Sequence, residues 1–170
     1  AIGYQSLFSN TSATSNTAIG HQALYSNTSA NFNTAIGFEA LKDNTSGQQS
    51  VALGAYALAN NTTAGFNTAV GVSSMFINST GTGNVALGYQ SLYENTTAND
   101  NTAIGSLALR NNTTGSNNTA VGRQALYSNT ANNNSALGFQ ALYSNQTGGN
   151  NVALGYGALF SSVSGGNNVA

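Results

Sequence analysis

The tripeptide Ala-[Ile/Leu/Val]-Gly recurs along the whole chain at an almost constant interval, and this repeat restricts the fold more than any other feature. Its glycine stands at Gly3, Gly20, Gly37, Gly54, Gly71, Gly88, Gly105, Gly122, Gly138 and Gly155, so the period is 17 residues with one step of 16. Ten repeats fill residues 1–170, and the chain begins and ends inside a repeat. We therefore predict one repeat array that belongs to a longer protein.

Positions counted from this glycine fall into columns that differ in how strongly they are restricted. Position −2 is always Ala, +3 is Ala or Ser, +4 is Leu or once Met, and +7 is Asn in nine of ten repeats. Position −1 is always a branched aliphatic residue: Ile2, Ile19, Ile36, Leu53, Val70, Leu87, Ile104, Val121, Leu137 and Leu154. Such restriction indicates that each residue meets its own copies in the adjacent repeats.

The composition of the repeat favours short strands joined by turns. Seventeen residues are too few for a pair of helices, and the Ala, Val, Ile, Thr and Tyr positions are bounded by Asn, Gly and Ser. We predict an all-β parallel β-solenoid of ten coils, one per repeat, stacked about 4.8 Å apart. The Asn columns should form side-chain ladders along the stack. The shortened repeat lacks a residue within 130–134, which predicts a loop there.

Neighbouring residues of a strand point to opposite faces, so Ala18 and Ile19 cannot share one core. The Ala and Leu columns suit the small interior of a coil. The −1 column then needs a cover from outside, and another subunit is the simplest one. We predict that this column is a subunit interface. A single-chain triangular helix with the −1 column inside is the alternative.

The motif N-[TSV]-A-[ILV]-G resembles the head repeats of YadA-like trimeric autotransporter adhesins. Its longer form, N-T-A-I-G-Y-Q-A-L-Y-S-N-T, is similar to repeats of phage tail fibres and of bacterial surface fibres that end in a self-cleaving chaperone domain. The likeness covers all ten repeats, and the extra length here lies in the N-T-[ST]-[AG]-x-N loop. The resemblance implies a left-handed β-roll and a homotrimer whose axis is lined by the −1 column.

Ionisable residues are too few and too scattered to predict catalysis. The charged residues and the single histidine are scattered over five repeats and five columns: Glu39, Asp43, Glu94, Asp100, Lys42, Arg110, Arg123 and His21. An acid–base or metal site needs several such groups together. We predict no enzyme activity, no cofactor and no metal. A net charge of −1 disfavours nucleic acid, and no apolar run is long enough for membrane insertion by this segment. Glu94 and Arg110 are expected to meet across adjacent coils.

The +5 column is rich in aromatic residues and is interrupted by Lys42, Ala59 and Arg110, which indicates partial exposure. Tyr25, Tyr93, Tyr127 and Tyr143 of this column are candidates for surface contact, because exposed rings beside Asn and Gln side chains suit glycans. The alternative is structural: the rings stack on one another, cover the edge of the coil and seal the subunit interface.

These observations favour a structural and adhesive function. We predict a rigid segment of an extracellular trimeric fibre, either a virion tail fibre or a bacterial surface adhesin, with a host glycan or receptor as its partner besides itself. The alternative is an ice-binding β-solenoid, since regularly spaced Thr and Asn offer a flat lattice. Against that alternative, Thr17 is followed two residues later by Ile19 rather than by a second Thr.

Overall fold

A computed structural model describes residues 1–170 and contains nine parallel strands of three residues each, with no helix. The strands pair in chain order, and each residue faces its counterpart in the next repeat, as Ala18 faces Ala35. The bounds are β1 Thr17–Ile19, β2 Thr34–Ile36, β3 Val51–Leu53, β4 Thr68–Val70, β5 Val85–Leu87, β6 Thr102–Ile104, β7 Thr119–Val121, β8 Ser135–Leu137 and β9 Val152–Leu154. The predicted parallel β-solenoid with a 17-residue repeat is confirmed.

Eight complete coils run from β1 to β9. The terminal repeats extend the ladder only by isolated bridges, from Ile2 to Ile19 and from Val152 to Val169. The chain therefore has nine strands but ten copies of the repeated glycine. The ten-coil description stays a prediction.

Each strand ends at the repeated glycine because the chain bends there in a conformation that other residues avoid. Gly71 has φ of +128°, and a Cβ atom on it would lie 2.6 Å from the carbonyl oxygen of Gly88 in the next coil. Both the backbone angle and the close approach therefore require glycine. The constancy of this column in the sequence has these two causes.

The turn after the glycine contains two left-handed residues that are not glycine. Gln22 has φ of 54° and Leu24 has φ of 52°. This conformation costs an L-residue about 1–3 kcal/mol. It also points the two amides in opposite directions along the stack, since Gln22 N donates to Tyr4 O (2.9 Å) and Leu24 N donates to Ala40 O (3.0 Å). Each turn is thus hydrogen-bonded to the coil on either side, which offsets the strain.

The apolar core is a narrow column of alanine and leucine inside the coils. The Ala at −2, the Ala at +3 and the Leu or Met at +4 form one buried cluster, and Leu24, Leu92 and Met75 have no exposed surface. The predicted interior is confirmed. Alanine is required at −2 because the facing Leu side chain already fills the space between the two walls.

The rest of the interior is polar and consists of asparagine ladders. Asn61 Nδ2 donates to Asn44 Oδ1 (2.9 Å) and to Ala64 O (2.9 Å), and Asn78 Nδ2 donates in turn to Asn61 Oδ1 (2.9 Å). A second ladder uses the Asn at −4: Asn84 Oδ1 accepts from the backbone N–H of Asn101 (3.0 Å). The predicted ladders are confirmed, and they satisfy buried polar groups that the short strands leave unpaired.

The shortened repeat keeps the register of both ladders. Asn129 and Asn134 are fully buried, and Asn134 Nδ2 donates to Asn129 Oδ1 (3.1 Å). Ala131 takes the +10 place, because its carbonyl oxygen accepts from Asn129 Nδ2 (2.7 Å) as Ala64 O does from Asn61. The missing residue is therefore the one at +9, in the exposed loop, as the sequence predicts for 130–134.

Candidate interaction surfaces

The outward face of the sheet carries an uncharged strip along the whole stack, aliphatic at −1 and Thr, Val or Ser at −3. We call it the outer strip; it consists of the residues at −1 and −3 of every repeat. In β6, Ala103 is buried while Thr102 is half-buried and Ile104 is 40% exposed. The −1 column therefore lies outside the coil, and the triangular helix with this column inside is not the arrangement found.

Exposure of the −1 column is substantial throughout. Its values are 69% for Ile2, 38% for Ile19 and Ile36, 37% for Leu87, 40% for Ile104, 50% for Leu137 and 66% for Leu154, and Leu53, Val70 and Val121 are half-buried. Towards the C-terminal end the strip forms a shallow groove of about 340 Å³, lined by Thr119, Val121, Ser135, Leu137, Val152 and Leu154. No side chain within the chain covers it.

Aromatic rings of adjacent coils stack on one another in short runs along the +5 column. Tyr143 lies between Tyr127 and Phe160, with ring centroids 5.1 Å and 5.0 Å away and planes nearly parallel. Tyr93 lies between the Phe76 ring (5.4 Å) and the guanidinium of Arg110 (5.0 Å). Both faces of these rings are therefore occupied, and only edges and hydroxyl groups face solvent.

Tyr25 has one free ring face at most. It stacks on Phe8 at 5.3 Å, and Lys42 follows in the next coil. The structure thus places all four candidate tyrosines in one column but separates them into stacks by Lys42, Ala59 and Arg110. A sugar that needs a free ring face finds little room on this column, whereas the role in covering the coil edge fits the stacking. Their contact with a partner stays a prediction.

Four of the seven charged side chains form two isolated ion pairs. Arg110 Nη1 lies 3.2 Å from Glu94 Oε1 across adjacent coils, as the sequence predicts, and Lys42 Nζ lies 3.2 Å from Glu39 Oε2. Pairs this exposed are worth about 0–1 kcal/mol. No three His, Asp or Glu side chains come together in a way that could hold a metal ion, and no helix could cross a membrane.

His21 lies in the +1 column inside an aromatic stack. Its ring is 5.3 Å from that of Tyr4 and 4.8 Å from that of Phe38. The side chain is half-buried, and its Nδ1 atom has no hydrogen-bond partner. The imidazole serves here as one more flat ring in the stack.

A second concavity, which we call the polar notch, lies in the loop region of three successive coils. It measures about 300 Å³ and is lined by Ser46, Gln48, Gln49, Thr63, Gly65, Phe66 and Thr82. Gly65 is the lining residue at +11 that has no side chain, and a Cβ atom on it would lie 2.7 Å from the carbonyl oxygen of Gln48 in the preceding coil. Sequence reasoning missed this feature. The signal was present as a glycine at +11 directly before a phenylalanine at +12.

Comparisons with known proteins do not assign this chain to a family. No protein-family model, no curated protein and no solved structure matches it.

Proposed function

We propose that this chain is a rigid structural and adhesive segment of an extracellular trimeric fibre, either a phage tail fibre or a bacterial surface adhesin. In this proposal each chain supplies ten left-handed coils, and three chains pack side by side through their outer strips. The segment has no catalytic role; it spaces or forms a region that contacts a host glycan or receptor.

The outer strip is the observation that carries the proposal. It is uncharged and aliphatic at −1, it extends over all nine strands, and its −1 side chains are about as large as those of the core. A continuous exposed face of this kind is typical of an interaction surface. Covering half-exposed Ile, Leu and Val side chains would contribute about 0.5–1.5 kcal/mol each. Summed along the strip, that favours a permanent assembly.

The geometry of the strip suits a closed symmetric assembly of identical chains. The −1 side chains stack directly above one another along the chain. A rotation about an axis parallel to the stack keeps equivalent repeats of different chains at the same height, so each −1 side chain meets its own copies in the other chains. The number three comes from the resemblance of the repeat to adhesin heads. A twofold pair is the competing closed arrangement.

The assembly is tested by the mass in solution of the wild-type chain and of two paired variants. Leu87 and Ile104 belong to the outer strip in adjacent coils and are 37% and 40% exposed. We expect the wild type to be a trimer and Leu87→Asn with Ile104→Asn to be a folded monomer, because amide groups buried without partners disfavour the interface.

The matched control changes two apolar residues outside the strip. Val72 and Tyr89 lie at +1 in adjacent coils and are 48% and 52% exposed. Val72→Asn with Tyr89→Asn should leave the trimer intact. A wild-type chain that stays monomeric at micromolar concentration, with a native circular dichroism spectrum, would refute the proposal. A stable dimer would refute the threefold arrangement.

Ice binding is the alternative function, and one observation favours it. Thr17, Thr34, Thr68, Thr102 and Thr119 all project from the outer strip at −3, beside an aliphatic residue at −1, in a regular parallel array. This use requires the strip to be open to water, whereas the trimer covers it. Thermal hysteresis of the purified chain separates the two: we expect no effect on ice growth, and a clear hysteresis gap would favour ice binding instead.

A further inference from the structure

The polar notch coincides with a break in an otherwise regular backbone ladder. In the other coils the N–H at +12 donates to the carbonyl at +11 of the preceding coil, as Phe66 N does to Gln48 O (2.9 Å) and Asp100 N does to Thr82 O (3.1 Å). Gly83 N makes no such bond to Gly65 O. The carbonyl of Gly65, a buried residue that lines the notch, therefore lacks a donor within the chain.

The donors of the notch are also unpaired. Where +11 of the next coil is Asn, its side chain accepts from the +11 backbone N–H, as Asn99 Oδ1 does from Thr82 N (2.7 Å). Gly65 has no side chain that could accept from the backbone N–H of Gln48 in this way. The Gln48 and Gln49 side chains are exposed, and neither has a glutamine in the adjacent coil of its own column. Gln22, by contrast, donates to Gln5 Oε1 (2.9 Å).

Phe66 supplies a free aromatic face at the side of the notch. It is 63% exposed and stacks on no other ring, because its column neighbours are Gln49 and Gly83. Phe32 occupies the same column two coils away and is equally exposed at 60%, but Asn31 stands before it instead of glycine. Only Phe66 therefore combines an open ring with a cavity.

We propose that the polar notch binds one uncharged pyranose ring of a glycan. No charged side chain lines it, so neither an anion nor a cation is favoured. The volume of about 300 Å³ is enough for one sugar ring. The apolar C–H face of the sugar lies on Phe66, the Gln48 and Gln49 amides and the Thr63 hydroxyl bind its hydroxyl groups, and the Gly65 carbonyl accepts from one of them.

This inference rests on the proposed adhesive function, for which it names the ligand class and the site. It does not depend on the number of chains, since every lining residue comes from one chain. The mass measurement therefore tests the assembly, and the sugar titration below tests the notch. Either can fail without the other.

The test is a titration of the full ¹⁵N-labelled chain, followed by amide NMR shifts. The probes are the methyl glycosides of glucose, galactose, mannose and N-acetylglucosamine, with the methyl glycoside of glucuronic acid as a charged comparator. We expect saturable shifts at the Gly65 amide and the Gln48 and Gln49 side chains, with a Kd in the millimolar range for at least one neutral sugar. Phe66→Ala should weaken that binding at least tenfold.

Phe32→Ala is the matched control, because it removes an equally exposed ring from the same column without a notch beside it. It should change the Kd by less than twofold. Gln48→Ala with Gln49→Ala gives a second variant in which the ring remains, and it should also weaken binding. Absence of saturable shifts with every neutral probe, equal losses in the two Phe variants, or tighter binding of the glucuronide would each overturn the proposal.

Discussion

Asn61 shows how one side chain holds three coils together. Its amide nitrogen donates to Asn44 and to Ala64 O, and its amide oxygen accepts from Asn78. Asn61→Ala would leave Asn44 Oδ1 and Ala64 O without a donor, while Asn78 Nδ2 would keep its bond to Gly81 O. We therefore expect the free energy of unfolding to fall by about 2–4 kcal/mol. Denaturation with guanidinium, followed by circular dichroism, measures the loss.

Thr97→Ala is the control for the asparagine substitution. Thr97 is exposed and lies at +9, the position that the shortened repeat omits altogether. The free energy of unfolding of Thr97→Ala should differ from that of the wild type by less than about 0.5 kcal/mol, as is usual for surface positions. Equal losses in the two variants would mean that the ladder contributes little to stability.

Gly155 and Gly157 allow the effect of the backbone angle to be measured by itself. A Cβ atom on either would meet nothing within 4 Å, but φ is +126° at Gly155 and +62° at Gly157. Gly155→Gln should cost about 1–3 kcal/mol, because non-glycine residues avoid the first conformation. Gly157→Gln should cost less, about 1 kcal/mol, since Gln124 and Gln140 adopt this left-handed conformation in the same column.

Hydrogen exchange at the Leu142 amide reports this difference, because Leu142 N donates to Ala158 O (2.9 Å) across the last coils. We expect a large increase in exchange rate in Gly155→Gln and a smaller one in Gly157→Gln. The reverse order would show that the overlap with the next coil, and not the angle, restricts this column to glycine.

Within each strand, the direction of a side chain, into the coil or out of it, decides which substitutions the position tolerates. In β5, Ala86 has no exposed surface, whereas Val85 is half-buried on the outer strip. Ala86→Leu adds three carbons where the +4 side chains already fill the interior, so we expect a loss of about 3 kcal/mol or more, or a failure to fold. Val85→Thr, a residue that β4 and β6 carry at that position, should change the stability by less than about 1 kcal/mol.

Thermal denaturation of the two β5 variants, with the purified yield as a second measure, checks this expectation. Similar melting temperatures for Ala86→Leu and the wild type would mean that the interior is loosely packed.

The sequence predicts the strands, the core and the Asn ladders because each lies in a column that meets its own copies. Asn61 is constant since its partners are Asn44 and Asn78, and the comparison of repeats detects this directly. The left-handed turn residues escape prediction for the opposite reason. Gln22 and Leu24 have no preference for φ near 50°, and the inter-coil hydrogen bonds that impose it are visible only once the coils are stacked.

The two interaction surfaces also differ in how far the sequence predicts them. The exposure of the −1 column follows from strand alternation at Ala18 and Ile19, and the structure confirms it. The polar notch depends on residues at three different positions in three coils. Gly65 and Phe66 stand at +11 and +12, two columns that vary from repeat to repeat, so a comparison of the repeats gives no signal for this pair. A local binding site can arise at the positions that vary from repeat to repeat.

At the scale of the whole molecule, each strand contacts only its two neighbours in the stack. The free energy of unfolding is then close to a sum of contributions from the single coils and from the interfaces between adjacent coils. The fold should depend on the register of the columns and much less on the presence of any particular coil. Deletions that preserve or break the register distinguish these two contributions.

Removal of residues 72–88 deletes 17 residues and joins Gly71 to Tyr89, so every column stays aligned. We expect a rod shortened by about 4.8 Å that still unfolds cooperatively, at a slightly lower denaturant midpoint. Removal of residues 72–85 deletes only 14 and leaves Gly71 and Gly88 three residues apart, so the coils before and after the junction keep their own registers but no longer follow one another by one full repeat. That variant should unfold at a clearly lower denaturant midpoint than the 17-residue deletion, as followed by circular dichroism. If the 14-residue deletion folds as well as the 17-residue one, column register does not specify this fold.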